Sequence, residues 1–345
     1  MTDARWWAGL LLVSACSAGA ARADDAENRA VEAVEKLGGM VSRDDKAPGK
    51  PVVLVRLNQS KVTDADLKEL APLAALETLD FSRAQVTDAG LKELARFKGL
   101  QTLYLGYTKV TDAGLKQLAS FKDLKELSLY GTRVTNEGLK QLPPLAALHT
   151  LYLSETQVTD AGLKELARFK GLQVLYLSQL QLTDNGLKEL TRFKGLRALG
   201  LYNTQVSGAG LKHLAFLTAL EWLDLNKTKA TVAGLKELAS LKKLQTLYLA
   251  YTKVTDAGLK GLAPFKDLKE LSLHGTGVTD AGLKQLAPLA ALKTLYLSKT
   301  QVTDAGLKEL ARLKKLQTLY LADTKTTDAA VRELQKALPK CRISR

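Results

Sequence analysis

Cysteine is nearly absent from this chain, which has only Cys16 and Cys341 among its 345 residues. Cys16 lies in an amino-terminal segment that is interpreted below as an export signal, so Cys341 would be alone in the mature chain. A single thiol cannot form an intramolecular disulfide, and a disulfide-stabilised scaffold is therefore excluded. Stability must come from an apolar core.

Histidine is equally scarce, and the sequence has no phosphate-binding loop, paired zinc motif or calcium loop. His149, His213 and His274 fall at different positions of the repeat described below, so they cannot converge on one metal ion. Glu270 and Ser272 share a predicted strand face with His274. A catalytic triad, however, needs the histidine between the acid and the nucleophile, and here serine is in the middle. The sequence therefore predicts no enzyme, no metal site and no cofactor.

The dominant feature of the chain is a repeat. Eleven consecutive copies of a 24-residue unit occupy residues 63–326 without insertion or deletion, and the second copy reads TDAGLKELARFKGLQTLYLGYTKV. Self-similarity at a fixed period predicts a solenoid, in which each copy buries its apolar edge against its neighbours.

Each copy predicts one short helix followed by one short strand. In the second copy Thr87 is a natural N-cap, and Asp88 stands four residues before Lys92, a spacing that supports a helix. Gly99 is placed to end this helix in a left-handed conformation. The alternating LQTLYL stretch that follows predicts a strand, so that strands lie parallel on one side and helices on the other.

These residues resemble the leucine-rich repeat, with the pattern L-x-x-L-x-L-x-x-N/C-x-L, from residue 52 to about residue 345. The VTDAGLKELA segment is most similar to the ribonuclease-inhibitor-like and F-box-associated subfamily, and to arrays in bacterial exported proteins. The resemblance implies an α/β fold, a right-handed leucine-rich-repeat solenoid (horseshoe) with parallel strands on the concave side and short helices on the convex side. It also implies a non-enzymatic protein that binds a partner.

Threonine occupies the position at which many leucine-rich repeats have Asn or Cys. A hydroxyl can bond to backbone groups at the turn after each strand, so we expect the column to form a threonine ladder, interrupted at Ala84 and Leu180. The column consists of Thr108, Thr132, Thr156, Thr204, Thr228, Thr252, Thr276, Thr300 and Thr324.

The amino terminus reads MTDARWWAGLLLVSACSAGAARADD, which is typical of a signal peptide with cleavage after Ala23. The alternative is that VSAC is a lipobox and Cys16 carries the lipid, in which case the protein is membrane-anchored. Both readings predict export to the periplasm, the cell envelope or the medium. The predicted organisation is a signal peptide at 1–23, an amino-terminal cap at 24–62, eleven repeats at 63–326 and a carboxy-terminal cap at 327–345. In the first cap we expect a helix at 26–36 and a strand at 40–43.

The net charge of +14 raises the question of nucleic-acid binding. A lysine follows the first leucine of every repeat, as at Lys92 and Lys164, and this regular placement is typical of a solvated helix face. No aromatic residues alternate with these lysines, so the sequence predicts no nucleic-acid partner.

The predicted strand face carries the candidate binding site. All ten tyrosines fall in a strand or in the turn beside it, and residues 198–229 depart most from the repeat consensus. Tyr and Trp are favoured in interfaces, so we expect a protein partner here. The alternatives are a glycan partner, or a structural role in the envelope without a ligand. Duplication of sequence blocks could also account for the recurring tyrosines. The predicted partner-binding residues are Tyr152, Tyr176, Tyr202, Trp222, Asp224, Asn226 and Tyr248.

Overall fold

The computed structural model describes residues 25–345, which form two compact units. The first unit ends at Ser128 and also includes Gln141–Ala147, and the second consists of Leu129–Lys140 and Leu148–Arg345. The predicted signal peptide at 1–23 and the lipidation candidate Cys16 lie outside the described residues.

Each repeat contributes one strand of three residues, and neighbouring strands pair in parallel with equivalent residues opposite each other, as Leu247 pairs with Leu271. In the first unit the strands are β1 (Met40–Arg43), β2 (Val52–Arg56), β3 (Thr78–Asp80), β4 (Thr102–Tyr104) and β5 (Glu126–Ser128). In the second they are β6 (Thr150–Tyr152), β7 (Val174–Tyr176), β8 (Ala198–Gly200), β9 (Trp222–Asp224), β10 (Thr246–Tyr248), β11 (Glu270–Ser272), β12 (Thr294–Tyr296), β13 (Thr318–Tyr320) and β14 (Arg342–Ser344).

The helix half of each repeat is short, and in many repeats part or all of it is 3-10 rather than α. The α-helices are α1 (25–36), α2 (Asp88–Leu94), α3 (Asp112–Leu115), α4 (Asn136–Gln141), α5 (Asp160–Leu163), α6 (Asp184–Leu190), α7 (Val232–Glu237), α8 (Asp256–Leu259), α9 (Asp280–Leu283), α10 (Asp304–Leu310) and α11 (Asp328–Ala337). The 3-10 helices are Asp66–Leu70, Lys116–Ser120, Lys164–Arg168, Gly210–Phe216, Leu238–Ser240, Lys260–Leu262 and Lys284–Leu286.

The leucines of the repeat form the core, as the sequence pattern predicts. Leu103 and Leu105, which flank the outward Tyr104, are both 0% exposed. Their alternation buries every second side chain of the strand and leaves the residues between them on the opposite face. The predicted α/β leucine-rich-repeat architecture is therefore confirmed in each unit.

The segment before the first repeat adds a helix and a strand to the first unit. In α1, Ala30 and Val34 are buried one turn apart, and β1 covers the same residues that the sequence predicts as a strand. β1 pairs with β2 in the antiparallel sense, so the first unit is not parallel throughout. The one cysteine of the described residues, Cys341, is a buried free thiol, and burial raises its pKa.

One of the two turn predictions is wrong and the other is confirmed. Gly99 does not adopt a left-handed conformation; α2 has already ended at Leu94, with a right-handed C-cap at Ala95. The threonine hydroxyls bond to backbone groups of the turn after each strand, as predicted: Thr108 donates its hydroxyl to the carbonyl of Leu105, at 2.7 Å. The same bond within the turn recurs at Thr132, Thr156, Thr204, Thr228, Thr252, Thr276, Thr300 and Thr324.

A different column connects successive repeats. The carboxylate of Asp88, predicted to support its own helix through Lys92, instead accepts hydrogen bonds from the backbone N–H and the hydroxyl of Thr111, at 2.8 and 2.6 Å. Thr327 donates to Asp304 in the same way and holds the pKa of Asp304 below its usual value. The other links join Asp64 to Thr87, Asn136 to Thr159, Asp160 to Thr183, Asp184 to Ser207, Asp256 to Thr279 and Asp280 to Thr303.

These links explain the glycine of the TDAG motif, and they are missing where a residue without a side-chain oxygen replaces the aspartate of the motif. A β-carbon at Gly114 would overlap the Oδ1 atom of Asp88. In the first repeat Asp66 stands at the position of this glycine. Its carboxylate accepts hydrogen bonds from the amide and the hydroxyl of Thr63, both at 2.8 Å. The aspartate is replaced by Gly208 and Val232 in two successive repeats, so the links are missing around the repeat that carries Trp222.

Candidate functional site

The residues on either side of the central leucine of each strand point away from the core, and we call the surface that they form the strand face. In the second unit, the outward residue before the central leucine is Thr150 in β6, Trp222 in β9 and Thr318 in β13. The outward residue after that leucine is Tyr152, Asp224 and Tyr320 in the same three strands. The strand backbone thus fixes which side chains share this surface, because outward residues recur every second position.

Four aromatic rings form a continuous cluster on the strand face of the second unit. Tyr152 and Tyr176 stack with ring centroids 5.0 Å apart and an interplanar angle of 6°. Tyr176 in turn packs against Trp222 at 5.5 Å and 53°, and Trp222 meets Tyr248 edge-on at 5.8 Å and 90°. The aromatic cluster therefore comprises Tyr152, Tyr176, Trp222 and Tyr248, and the two rings that contact Trp222 restrict its orientation.

Gly200 makes this cluster continuous. Tyr176 and Trp222 belong to β7 and β9, which are separated by β8 and would ordinarily stand about 9–10 Å apart. A β-carbon at Gly200 would lie only 2.7 Å from Cδ1 of Tyr176, so the tyrosine ring occupies the space that a side chain on β8 would fill. Trp222 is itself opposite the small Ala198. The small residues of β8 allow the rings of the flanking strands to meet above it.

The cluster borders a shallow depression of 420 Å³. Five of the seven predicted site residues line it, and Tyr130, Ser154, Ser178 and Gln179 line it as well. Tyr130, Ser154 and Ser178 lie two residues after the end of their strands, at the third outward position, and Gln179 follows Ser178. The principal lining side chains are Tyr130, Tyr152, Tyr176, Tyr202, Trp222 and Asp224.

Asp224 is the one charged residue that lines the depression. Burial raises the pKa of its carboxyl group to about 6, while the hydrogen bond that it accepts from the N–H of Asn226, at 2.8 Å, opposes the rise. Burial, together with the proximity of Asp224, raises the pKa of the Tyr176 hydroxyl. The depression thus places a poorly solvated carboxylate among aromatic rings.

The remaining two predicted residues support the depression from outside. Tyr248 contacts Trp222, and Asn226 orients Asp224 while its side-chain oxygen accepts from the N–H of Ala250. At the rim, the ammonium of Lys227 lies over the Tyr202 ring, 5.2 Å from its centroid. The structure therefore groups all seven residues around one place on the strand face.

A larger groove of 580 Å³ lies on the helix side, between α10 and α11. Its walls are mainly alanines and charged side chains that extend into solvent, such as Lys308 and Arg332. Volume alone would favour this groove, but it lacks the aromatic rings that dominate binding energies in interfaces. We therefore take the strand-face depression as the candidate site.

Two residues of the rejected triad are occupied with other partners. Nε2 of His274 pairs with the Tyr251 hydroxyl at 2.7 Å, and the carboxylate of Glu270 accepts from the Tyr296 hydroxyl at 3.0 Å. Across residues 25–345 there is no cluster of three or more His, Cys, Asp or Glu side chains that could hold a metal ion. Within the same range, no helix has the length and apolar character needed to cross a membrane.

Comparison with known proteins agrees with this architecture. The family described as leucine-rich repeat region matches residues 156–344, and a second leucine-rich-repeat family matches residues 75–95. No curated protein matches the sequence.

Two solved bacterial structures are similar in fold. An internalin (inlF) from Listeria monocytogenes is 22% identical, with a TM-score of 0.65 over 93% of this chain and 94% of that one. A leucine-rich-repeat protein of Leptospira interrogans is 25% identical, with a TM-score of 0.52 over 84% and 83% of the two chains. This fold is typical of protein–protein interaction modules and of binding scaffolds that are not enzymes. Since the matched family region covers more than half of the sequence, the chain belongs to the leucine-rich-repeat family.

Proposed function

We propose that this protein binds a partner protein through the strand face of its second unit, with the depression beside Trp222 as the centre of the contact. The observation that carries the proposal is the aromatic cluster and its single carboxylate. Large rings with restricted orientations supply contact area at a small entropic cost, and such residues recur as interface anchors.

The composition of this place argues against simple inheritance from duplicated blocks. Trp222 is the only tryptophan outside the predicted signal peptide, and Gly200 is the only glycine in its column of strand residues. Duplication of neighbouring blocks copies residues, whereas this arrangement needs two residues that the other repeats lack. A structural envelope role needs neither of them.

Site-specific photocrosslinking tests the proposal. With p-benzoylphenylalanine in place of Tyr202 we expect a discrete crosslinked protein from extracts of the source organism, because this position lines the depression. The same probe at Lys164, which is exposed on the helix side, should give no such product. Capture of the same protein from both positions, or from neither, would contradict the proposed interface.

We also propose that the protein is exported, on the basis of the signal-peptide pattern in residues 1–23. The mature chain is then expected to begin at Asp24, or at a lipid-bearing Cys16 if the lipobox is used. Intact-mass measurement of protein recovered from the source organism distinguishes the two products. A mass that retains Met1 or Thr2 would contradict both. The ribonuclease-inhibitor-like subtype stays a prediction.

A further inference from the structure

The depression beside Trp222 combines two features that both favour a positively charged group. The faces of its tyrosine and tryptophan rings carry the negative part of the aromatic quadrupole, which attracts cations. Its one charged lining residue is the carboxylate of Asp224. In the described part of the chain, no basic side chain forms an ion pair with this carboxylate.

The burial of Asp224 makes an incoming cation more favourable than it would be at an exposed carboxylate. Because the carboxylate is poorly solvated, its charge is weakly screened and interacts more strongly with an opposite charge nearby. The same burial raises its pKa to about 6, which reflects the cost of keeping the charge poorly solvated. A bound cation would remove that cost.

The positive net charge of the chain does not oppose this. The regular lysine of each repeat, such as Lys164 and Lys236, belongs to the helix half and not to the strand face. The rim cation is Lys227, whose ammonium lies over the Tyr202 and Tyr251 rings, at 5.2 and 5.9 Å from their centroids. This contact shows that the rings of this surface accept a cation, and it does not involve Tyr176 or Trp222.

The geometry points to an arginine side chain of the partner protein as the group that enters the depression; this inference rests on the proposed function. A guanidinium is planar and stacks on aromatic faces, and its forked donors match a carboxylate. Elsewhere in the chain Arg83 makes such a contact over the ring of Tyr107, at 4.4 Å. A lysine ammonium has the charge but not the plane, so it should bind less well.

The test uses short peptides that differ in one side chain. Acetyl-Gly-Arg-Gly-amide is titrated into the ¹⁵N-labelled full chain while the indole N–H resonance of Trp222 is followed, and the same is done with citrulline or lysine in place of arginine. Citrulline has nearly the same shape as arginine and no charge. We expect saturable shifts with the arginine peptide and binding at least about fivefold weaker with citrulline. The lysine peptide should fall between the two.

Asp224→Asn should weaken binding of the arginine peptide by about fivefold or more, while the exposed carboxylate control Asp323→Asn should leave it unchanged.

Arginine stays protonated throughout, so a pH dependence of peptide binding near pH 6 reports on Asp224. As the pH falls through about 6 the carboxylate gains a proton and the attraction is lost, which predicts binding several-fold weaker at pH 5 than at pH 7.5. Near Asp224, Tyr176 on β7 and Tyr248 on β10 have pKa values raised above their usual range, and Lys227 at the rim stays charged, so none of these three groups titrates near pH 6.

Equal binding of the arginine and citrulline peptides by the unmodified protein would overturn the inference, whatever the Asp224 variant does. Absence of any shift at Trp222 would overturn it as well. Neither result bears on whether a protein occupies the strand face, because crosslinking from Tyr202 does not depend on charge. Failure of this inference and failure of the proposed function are therefore told apart.

Discussion

Replacing Trp222 with alanine is expected to weaken binding of the crosslinked partner by about 2 kcal/mol or more, roughly thirtyfold in Kd. Trp222 contacts both Tyr176 and Tyr248, so its removal takes away an anchor and also releases the two rings that it holds in place. The measurement is the dissociation constant of the purified pair by titration calorimetry.

Lys164→Ala is the matched control for this variant. Lys164 is an exposed charge on the helix side, and we expect its loss to change the binding free energy by no more than about 0.5 kcal/mol. Trp222→Ala should remain folded, because the core contact of this strand is made by Leu223, which is 0% exposed. Equal effects of the two substitutions, or unfolding of Trp222→Ala, would show that the depression is ordinary surface.

The second large effect concerns stability. Gly186→Ala is expected to lower the free energy of unfolding by about 2–3 kcal/mol. The added β-carbon would overlap Oδ1 of Asp160 and lie 3.2 Å from its Cγ. Asp160 would then have to move away from the amide and hydroxyl of Thr183, which it links across the two repeats. Urea unfolding followed by circular dichroism measures the change.

Gly195→Ala, in the same repeat, separates this clash from the general effect of a glycine substitution. Its β-carbon would meet nothing closer than the carbonyl oxygen of Leu172, at 4.0 Å, and Gly195 is not in the left-handed region. We expect a change within about 0.5 kcal/mol. If both variants unfold at the same urea concentration, packing around the TDAG glycine does not stabilise the link between repeats.

The strand and helix of each repeat could be predicted from the sequence because both depend on local periodicity. Alternation around Leu103 and Leu105 indicates which side chains are buried, and a fixed 24-residue period places equivalent residues side by side. The same alternation assigned Tyr152, Tyr176, Trp222 and Asp224 to one surface. Thr87 was predicted as an N-cap for the same reason, and its hydroxyl does accept from the N–H of Ala89.

The local sequence pattern predicted the wrong partner where a side chain could bond either within its own repeat or to the next repeat. Asp88 was assigned to its own helix, but it binds Thr111, 23 residues further on, because stacking brings that amide and hydroxyl closer than Lys92. The threonine hydroxyls, in contrast, bond to the carbonyl of their own turn, as the sequence predicts. A single repeat contains nothing that distinguishes these outcomes.

The candidate site itself depended on tertiary structure. The sequence determined that the tyrosines, Trp222 and Asp224 share a face, because outward residues of parallel strands in register must do so. Only the folded chain decided that Tyr176 and Trp222 touch across β8, since that contact needs the space above Gly200. It also decided that Asp224 is poorly solvated, with a pKa near 6, because desolvation depends on which rings surround the carboxylate and not on its neighbours along the chain.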